Sequence, residues 1–283
     1  MSQVFSEVPP TEPHVVSRLM FEARSVGDEL DAEIEVRPDL RAPAGVPLLG
    51  PLASFCDTMG GVVAAISTFP VAVATADLGI ALDPGARPRA VRTRPQVLRR
   101  GRTNVVTEME LFDVDTGARV GWSTMTSAVL SADQPQIYDP RIVTQMMRTT
   151  YTPGDDFYAE LGLRRGPDLG RDGAVGAQLV IEPWLGNSMG MLHGGCTAMI
   201  AEAAALAAGE VEFGADAPIA VVDAHVRYLN GARVGPIVAS ATVIGREPEA
   251  LSVRVAQHDA GLDRQTSLAN VRVIRRAEPS ARP

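Results

Sequence analysis

The chain is written twice. Pro38, Leu40, Gly45, Gly50 and Asp57 recur as Pro183, Leu185, Gly190, Gly195 and Glu202, each pair 145 residues apart. Further on, Asp77, Gly85, Ala86 and Arg87 recur as Asp223, Gly231, Ala232 and Arg233, now 146 apart, so one residue is inserted between the two blocks. Solenoid repeats run to about 20–50 residues. A period this long means a duplicated domain. The copies differ at one turn: the second reads His193-Gly194-Gly195 where the first reads Leu48-Leu49-Gly50. A repeat that keeps its packing residues and loses a polar turn on one side predicts two sites, only one of them working.

Bulk properties narrow the function classes. Apolar residues make up 46% and charged residues 21%, which is enough to build a sizeable core. A formal net charge of −8 argues against general nucleic-acid binding, which needs a basic field. It leaves room for an anionic small ligand on a local basic patch. Cys56 and Cys196 are the only cysteines and read as small buried hydrophobes; a disulfide framework or zinc site would need more cysteines or nearby histidines. The first residues lack the charged-then-apolar pattern of a signal peptide. The most apolar stretch, Ala198 to Ala208, holds Glu202 and is too short to span a bilayer. These features predict a cytoplasmic protein with no membrane span, no metal and no cofactor.

Periodicity predicts the same elements in both halves. In the first, a short amphipathic helix over 14–24 precedes a strand at 29–36, a loop at 38–50 and a helix at 51–68. Strand-like runs follow at 71–82, 89–99, 102–113 and 118–130, the last two joined by the turn Asp115-Thr116-Gly117. In the second, a short helix at 156–164 precedes a strand at 177–183, a loop at 184–194 and a small-residue helix at 195–210. Its strands lie at 217–229, 236–246, 250–258 and 265–275. The expected units are residues 13–131 and 154–276, with a connector over 132–153 and loose ends at 1–12 and 277–283. A helix apolar on nearly every side must be wrapped. Four or five antiparallel strands can do this, and the two sheets can pair edge to edge to protect their rims. The predicted class is α+β.

The chemistry concentrates on Asn187, His193, Gly194, Gly195 and the two acids. Two glycines at a loop-to-helix junction let a ligand approach the backbone, and the first helical N–H groups have no intrahelical partner. That suits an oxygen gaining negative charge, although Gly-Gly also serves a plain tight turn. Asp57 and Glu202 sit at matching places on apolar helices, where an unpaired carboxylate is costly. A partly exposed helix face, or a hydrogen bond to a neighbouring loop, would account for either acid without catalysis.

This order of strand, Asn, His-Gly-Gly, apolar helix with an acid, then strands resembles the hotdog-fold thioesterases. It is similar in particular to the PaaI-like acyl-CoA thioesterases of the 4-hydroxybenzoyl-CoA thioesterase superfamily. Asn187 lies six residues before His193 and Glu202 nine after it, as in that family's motif. The family's hydroxyl residue, eighteen positions after the acid, is Thr75 in the first copy; the second copy has Val221 in its place. The resemblance implies a tandem (double) hotdog, each half an antiparallel sheet wrapped around a central buried helix.

It also implies an active site shared between the units. Site one combines Asn187, His193, Gly194 and Gly195 with Asp57 and Thr75. Site two, built from Ala42, Leu48, Leu49 and Gly50 with Glu202 and Val221, is degenerate. In the implied reaction an acyl-CoA thioester is hydrolysed without a cofactor. The carbonyl oxygen sits near Gly194 and Gly195. Asp57 acts as general base or attacks directly, Asn187 and Thr75 orient the water, and His193 positions the turn or hydrogen-bonds near the thioester.

Other features carry weaker expectations. In the basic run from Arg87 to Arg102, residues Arg99, Arg100 and Arg102 are candidates for the coenzyme phosphates, against the alternative of a solvated strand face. Trp122 and Trp184 read as core or pocket wall. The alanines at 203–208 hint at room for a bulky or long acyl group. Gly60-Gly61 lies inside a helix and is no phosphate loop. The expected assembly is a homodimer of double-hotdog chains. A non-catalytic acyl-CoA binding protein on the same fold is the competing reading. A dehydratase fits less well, because His193 lacks the partner that chemistry needs.

Overall fold

A computed structural model describes residues 13–26, 29–131 and 151–276. The expected loose ends, and most of the connector, fall outside them. In the first half a four-residue helix, Val15–Arg18, leads into β1 (Glu22–Val26) and β2 (Glu29–Glu35). After a loop comes the first central helix, Leu49–Thr68, then β3 (Val73–Leu82), β4 (Ala90–Thr93), β5 (Gln96–Arg100), β6 (Asn104–Asp113) and β7 (Arg119–Val129). In the second half the short helix Phe157–Glu160 precedes β8 (Arg164–Gly166) and β9 (Gly176–Leu179). The second central helix, Gly194–Phe213, is followed by β10 (Ile219–Tyr228), β11 (Ile237–Glu247), β12 (Ala250–Asp259) and β13 (Arg264–Arg275).

Each half-sheet wraps its own helix, and β3 pairs antiparallel with β10 to join the two into one sheet. The order runs β1-β2-β4-β6-β7-β3-β10-β13-β12-β11-β9-β8, with β5 paired to β6 beside this path. The tandem hotdog is therefore the architecture, with the edge-to-edge pairing the repeat implies. Across the seam His225 Nε2 meets Asp77 Oδ1 at 2.7 Å.

The repeat extends to irregularities. Pairing shifts between Thr75 and Asp77 in β3, and between Val221 and Asp223 in β10. It shifts again at matched places in β6 and β12. The bulge in β3 has a consequence for the site. Leu78, Ile80 and Leu82 face the helix and are buried. Strict alternation would turn Thr75 away from them, and one extra residue restores it to the helix-facing side.

Three sequence expectations are corrected. The run 89–99 is two strands, because Pro95 has no N–H to give and interrupts the pairing; its counterpart β11 runs through unbroken. The helices expected over 14–24 and 156–164 are one turn each and give way to β1 and β8, whose edge pairing overrides local propensity. Trp122 is 53% exposed on the outer face of β7, neither core nor pocket wall.

The first central helix is long and apolar enough to cross a membrane by length and composition, but the sheet and its partner helix cover it. Pro51 sits in its first turn, where no hydrogen bond is lost. The two central helices touch at their N-terminal ends through glycine. A Cβ at Gly50 would lie 2.7 Å from Met199 Cα, and one at Gly195 would lie 2.6 Å from Ser54 Cα. Gly50→Ala should therefore force the helices apart and cost about 1–3 kcal/mol in urea unfolding, the usual price of overpacking. Gly61→Ala, facing open space, should be neutral or stabilising by up to ~1 kcal/mol. Equal effects of the two substitutions would contradict the helix contact.

Candidate active site

The loops before the two central helices are one structure built twice. Pro38–Leu40 and Pro183–Leu185 each make a 3₁₀ turn. Gly45 and Gly190 take φ of 78° and 65°, which glycine tolerates without strain. The N–H groups of Leu48 and His193 donate to the carbonyls of Leu40 and Leu185 at 2.8 and 2.9 Å. Ala42 and Asn187 are equivalent, but only Asn187 adds a side chain: its Oδ1 accepts from the N–H groups of Met189 and Met191 at 2.9 and 3.1 Å. The carboxamide oxygen thus braces the loop. Only Nδ2 is left to orient a water, which narrows the role implied for Asn187.

His193 caps the second central helix, its Nδ1 accepting from Gly195 N–H at 3.1 Å. Burial holds its pKa down to about 4, so it is neutral at pH 7. An accepting Nδ1 puts the proton on Nε2. His193 Nδ1 lies 3.7 Å from Asp57 Oδ2. With both atoms acceptors, this contact is no ion pair. His193 Nδ1 thereby braces the first turn of the helix. Because Gly195 N–H is occupied, Gly194 N–H alone among the paired glycines is without a protein partner among the described residues. Of the two N–H groups expected to face an oxyanion, Gly194 N–H is the one left open.

Asp57 comes from the other half and is buried. Its Oδ1 accepts from Thr75 Oγ1 at 2.7 Å. A Cβ on Gly194 would lie 2.7 Å from Asp57 Oδ2, so the carboxylate rests against the bare Cα of that glycine. Burial pushes the Asp57 pKa up to about 6, while Thr75 and Gly195 N–H hold back a larger rise. Tyr228 Oη donates to the Gly194 carbonyl at 2.9 Å and fixes the peptide plane of the turn.

His14 also belongs to this cluster, and no motif spacing announces it. Its ring meets His193 edge-on, centroids 5.9 Å apart, and its Nε2 donates to the Gly186 carbonyl at 2.7 Å. Arg18, one turn further on, stacks on Trp184 at 4.0 Å, which makes Trp184 a wall of the loop. The N-terminal segment of one half thereby closes over the loop before the central helix of the other.

Site two is closed by its own acid. Glu202 Oε1 accepts from Leu49 N–H at 2.9 Å and its Oε2 from Gly50 N–H at 2.6 Å, and Tyr158 Oη donates to the same Oε2. Leu49 and Gly50 are the counterparts of Gly194 and Gly195. Glu202 is 1% exposed; burial raises its pKa, opposed by Tyr158 and the two N–H donors. One extra methylene lets Glu202 reach both terminal N–H groups, where Asp57 leaves one open.

Arg99, Arg100 and Arg102 are exposed on and beside β5. Arg99 donates to Asn104 Oδ1 at 2.9 Å. Arg100 pairs in register with Val105, Val105 with Ser127, and Ser127 with Thr75, so Arg100 lies three strands from the site. Among the described residues no group of three or more His, Cys, Asp or Glu could hold a metal ion.

Residues 189–261 match the sequence profile of the Thioesterase superfamily. No curated protein matches the chain in sequence. Its fold is similar to that of the tesB protein of Mycobacterium avium subsp. paratuberculosis, with a TM-score of 0.59 and 13% identity over 93% of this chain and 98% of that one. It is similar to an acyl-CoA thioesterase II from Mycobacterium marinum, with a TM-score of 0.59 and 12% identity over 95% and 99%. The 12:0-ACP thioesterase from Umbellularia californica aligns with a TM-score of 0.57 and 10% identity over 89% and 100%.

The two acids predict opposite mutant stabilities. Because the folded pKa of Asp57 lies above the unfolded value of 3.8, its charge opposes folding fully above pH ~6 and the penalty fades as pH falls toward 3.8. That penalty is on the order of 3 kcal/mol. Asp57→Asn should raise the melting temperature by a few degrees at pH 7.5 and by much less at pH 4. Glu202→Ala orphans three donors and should cost roughly 2–4 kcal/mol in urea unfolding. Destabilisation by Asp57→Asn at pH 7.5, or no change in Glu202→Ala, would contradict this division.

Proposed function

We propose that this tandem hotdog protein hydrolyses acyl-CoA thioesters at one composite site per chain. The observation that carries the reading is the contrast between the two helix N-termini. One is capped by Glu202; the other keeps Gly194 N–H open beside the buried Asp57 carboxylate. An orphan N–H at a helix start, in a dry setting, stabilises a developing oxyanion far better than in water. The profile match over residues 189–261 and the fold of the proteins named above agree with it.

In this mechanism the thioester carbonyl oxygen takes the Gly194 N–H, reinforced by the positive end of the second central helix. Asp57 Oδ2 faces the carbonyl carbon, and Thr75 holds Oδ1 so that the carboxylate cannot rotate away. Asp57 supplies the electron pair, either by taking a proton from the attacking water or by bonding the carbonyl carbon to give an anhydride that water then opens. Collapse of the tetrahedral intermediate expels the coenzyme A thiolate. His193 stays neutral and keeps Gly195 N–H aligned. Arg100 lies about 14 Å from Thr75 across three strand spacings, a span that a pantetheine arm covers on its way to the phosphates.

Two measurements test the reading. Coenzyme A release from short, aryl and long acyl-CoAs should fall by a factor of about 10²–10⁴ in Asp57→Asn. The wild-type kcat/KM should drop tenfold per pH unit below about 6, where Asp57 takes up its proton, and stay level from there to pH 8. Measurable acyl-CoA binding without release from any substrate would establish the binding-protein reading instead.

A further inference from the structure

The duplication supplies an internal control for what the working site is built to hold. Strand register equates Thr75 with Val221, Ser127 with Val273, and Thr107 with Val253. All six are buried or nearly so, on the face turned to the central helix. Around Asp57 the three positions carry hydroxyls; around Glu202 all three are valine. The helices follow suit, since Ser54 faces Gly195 where Met199 faces Gly50. The opposite wall repeats the pattern: Gln257 and Ser267 stand where the other half has Leu111 and Gly121.

Apart from Thr75, which donates to Asp57, these polar groups are not consumed by the fold. Ser54 Oγ, Thr107 Oγ1, Ser127 Oγ, Gln257 Oε1 and Ser267 Oγ are buried atoms without a hydrogen-bond partner in the structure. Buried polar atoms are almost always paired, and each exception calls for a ligand or water to complete it. Valine is the near-isostere that would have filled the same volume without that cost, and the other half uses it three times.

Space follows the same asymmetry. Gly61 lies about one turn beyond Asp57 and faces nothing within 4 Å. Its counterpart Leu206 fills the equivalent place and is 1% exposed. The room hinted at by the alanines of 203–208 is not there, because that segment is packed throughout. Open space lies instead in the first half, beside Gly61. A Cβ at Gly60 would come within 2.9 Å of Thr107 Oγ1, so that hydroxyl abuts the bare helix backbone one residue before Gly61.

We propose that the working site selects an acyl group that itself carries a hydroxyl or oxo oxygen a few carbons from the thioester, held by Thr107 and Ser127. The inference rests on the thioesterase reading for its reaction but not for its binding preference. Ser127 stands directly across from Thr75, about 5 Å away, so the recognised oxygen belongs near the third or fourth carbon of the acyl chain. A pocket built to hydrogen-bond a substrate hydroxyl discriminates strongly against the analogue lacking it, because its own polar groups are then left unpaired.

The test uses matched pairs. Kd is measured by calorimetry for the non-hydrolysable thioethers S-(3-hydroxybutyl)-CoA and S-butyl-CoA, and coenzyme A release for 3-hydroxybutyryl-CoA and butyryl-CoA. The wild type should favour the hydroxylated member at least tenfold in binding and in kcat/KM. Thr107→Val with Ser127→Val, which copies the other half, should bring both ratios toward one, and Thr107→Ser should preserve them. Equal or tighter binding of the plain chain by the wild type overturns the inference, whether or not the double variant folds. A hydroxyl preference in binding with no release from either thioester refutes hydrolysis and leaves the inference standing.

Discussion

Each central helix begins where the other presents a carboxylate, and this crossing governs the rest of the molecule. A helix start has N–H groups without partners and a positive end, so an acid is favourable there. Glycines at 50 and 195 bring the helices close enough for a side chain of one to reach the end of the other. What happens next depends on one methylene. Glu202 closes over both N–H groups of the first helix. Asp57 stops short of Gly194 N–H and remains a desolvated carboxylate beside an unfilled donor. The first arrangement stabilises the pair of halves, and the second holds reactive groups apart from their natural partners.

Such a division needs the two halves on one chain. In a symmetric pair of identical units every residue appears at both sites, so neither acid could differ from the other. Fusion lets one site become a clamp while the other is left free for the proposed chemistry. The β3–β10 seam then holds the two in register, and the N-terminal segment bearing His14 and Arg18 ties the first half to the active loop of the second. Stability and the proposed reactivity are thus separated in space: the closed crossing offsets part of the cost of leaving Asp57 charged and buried.

Much of this was legible in the sequence. The 145-residue period announced two copies, apolar helices announced the wrapping, and the spacing from Asn187 through His193 to the acids singled out the residues that the two helix crossings bring together. The remainder depended on geometry that spacing does not encode. Whether an acid reaches one N–H or two is a matter of side-chain length against helix separation, so the clamp formed by Glu202 and Tyr158 could not be read. Thr75 faces the helix only because a bulge resets the alternation of β3. The exchange of hydroxyls for valines emerges once strand register aligns β6 and β7 with β12 and β13. Pro95 is the exception: a residue without an N–H inside a strand-like run is a break that the sequence itself shows.

The central claim is that one crossing is open and the other is closed. Titration calorimetry with a non-hydrolysable acyl-CoA thioether counts the open sites directly. The account predicts one equivalent bound per chain, lost in Gly194→Val, whose side chain would fall on the Asp57 carboxylate, and kept in Leu49→Val at the matching place. Two equivalents per chain, or one equivalent that survives Gly194→Val and disappears in Leu49→Val, would contradict it.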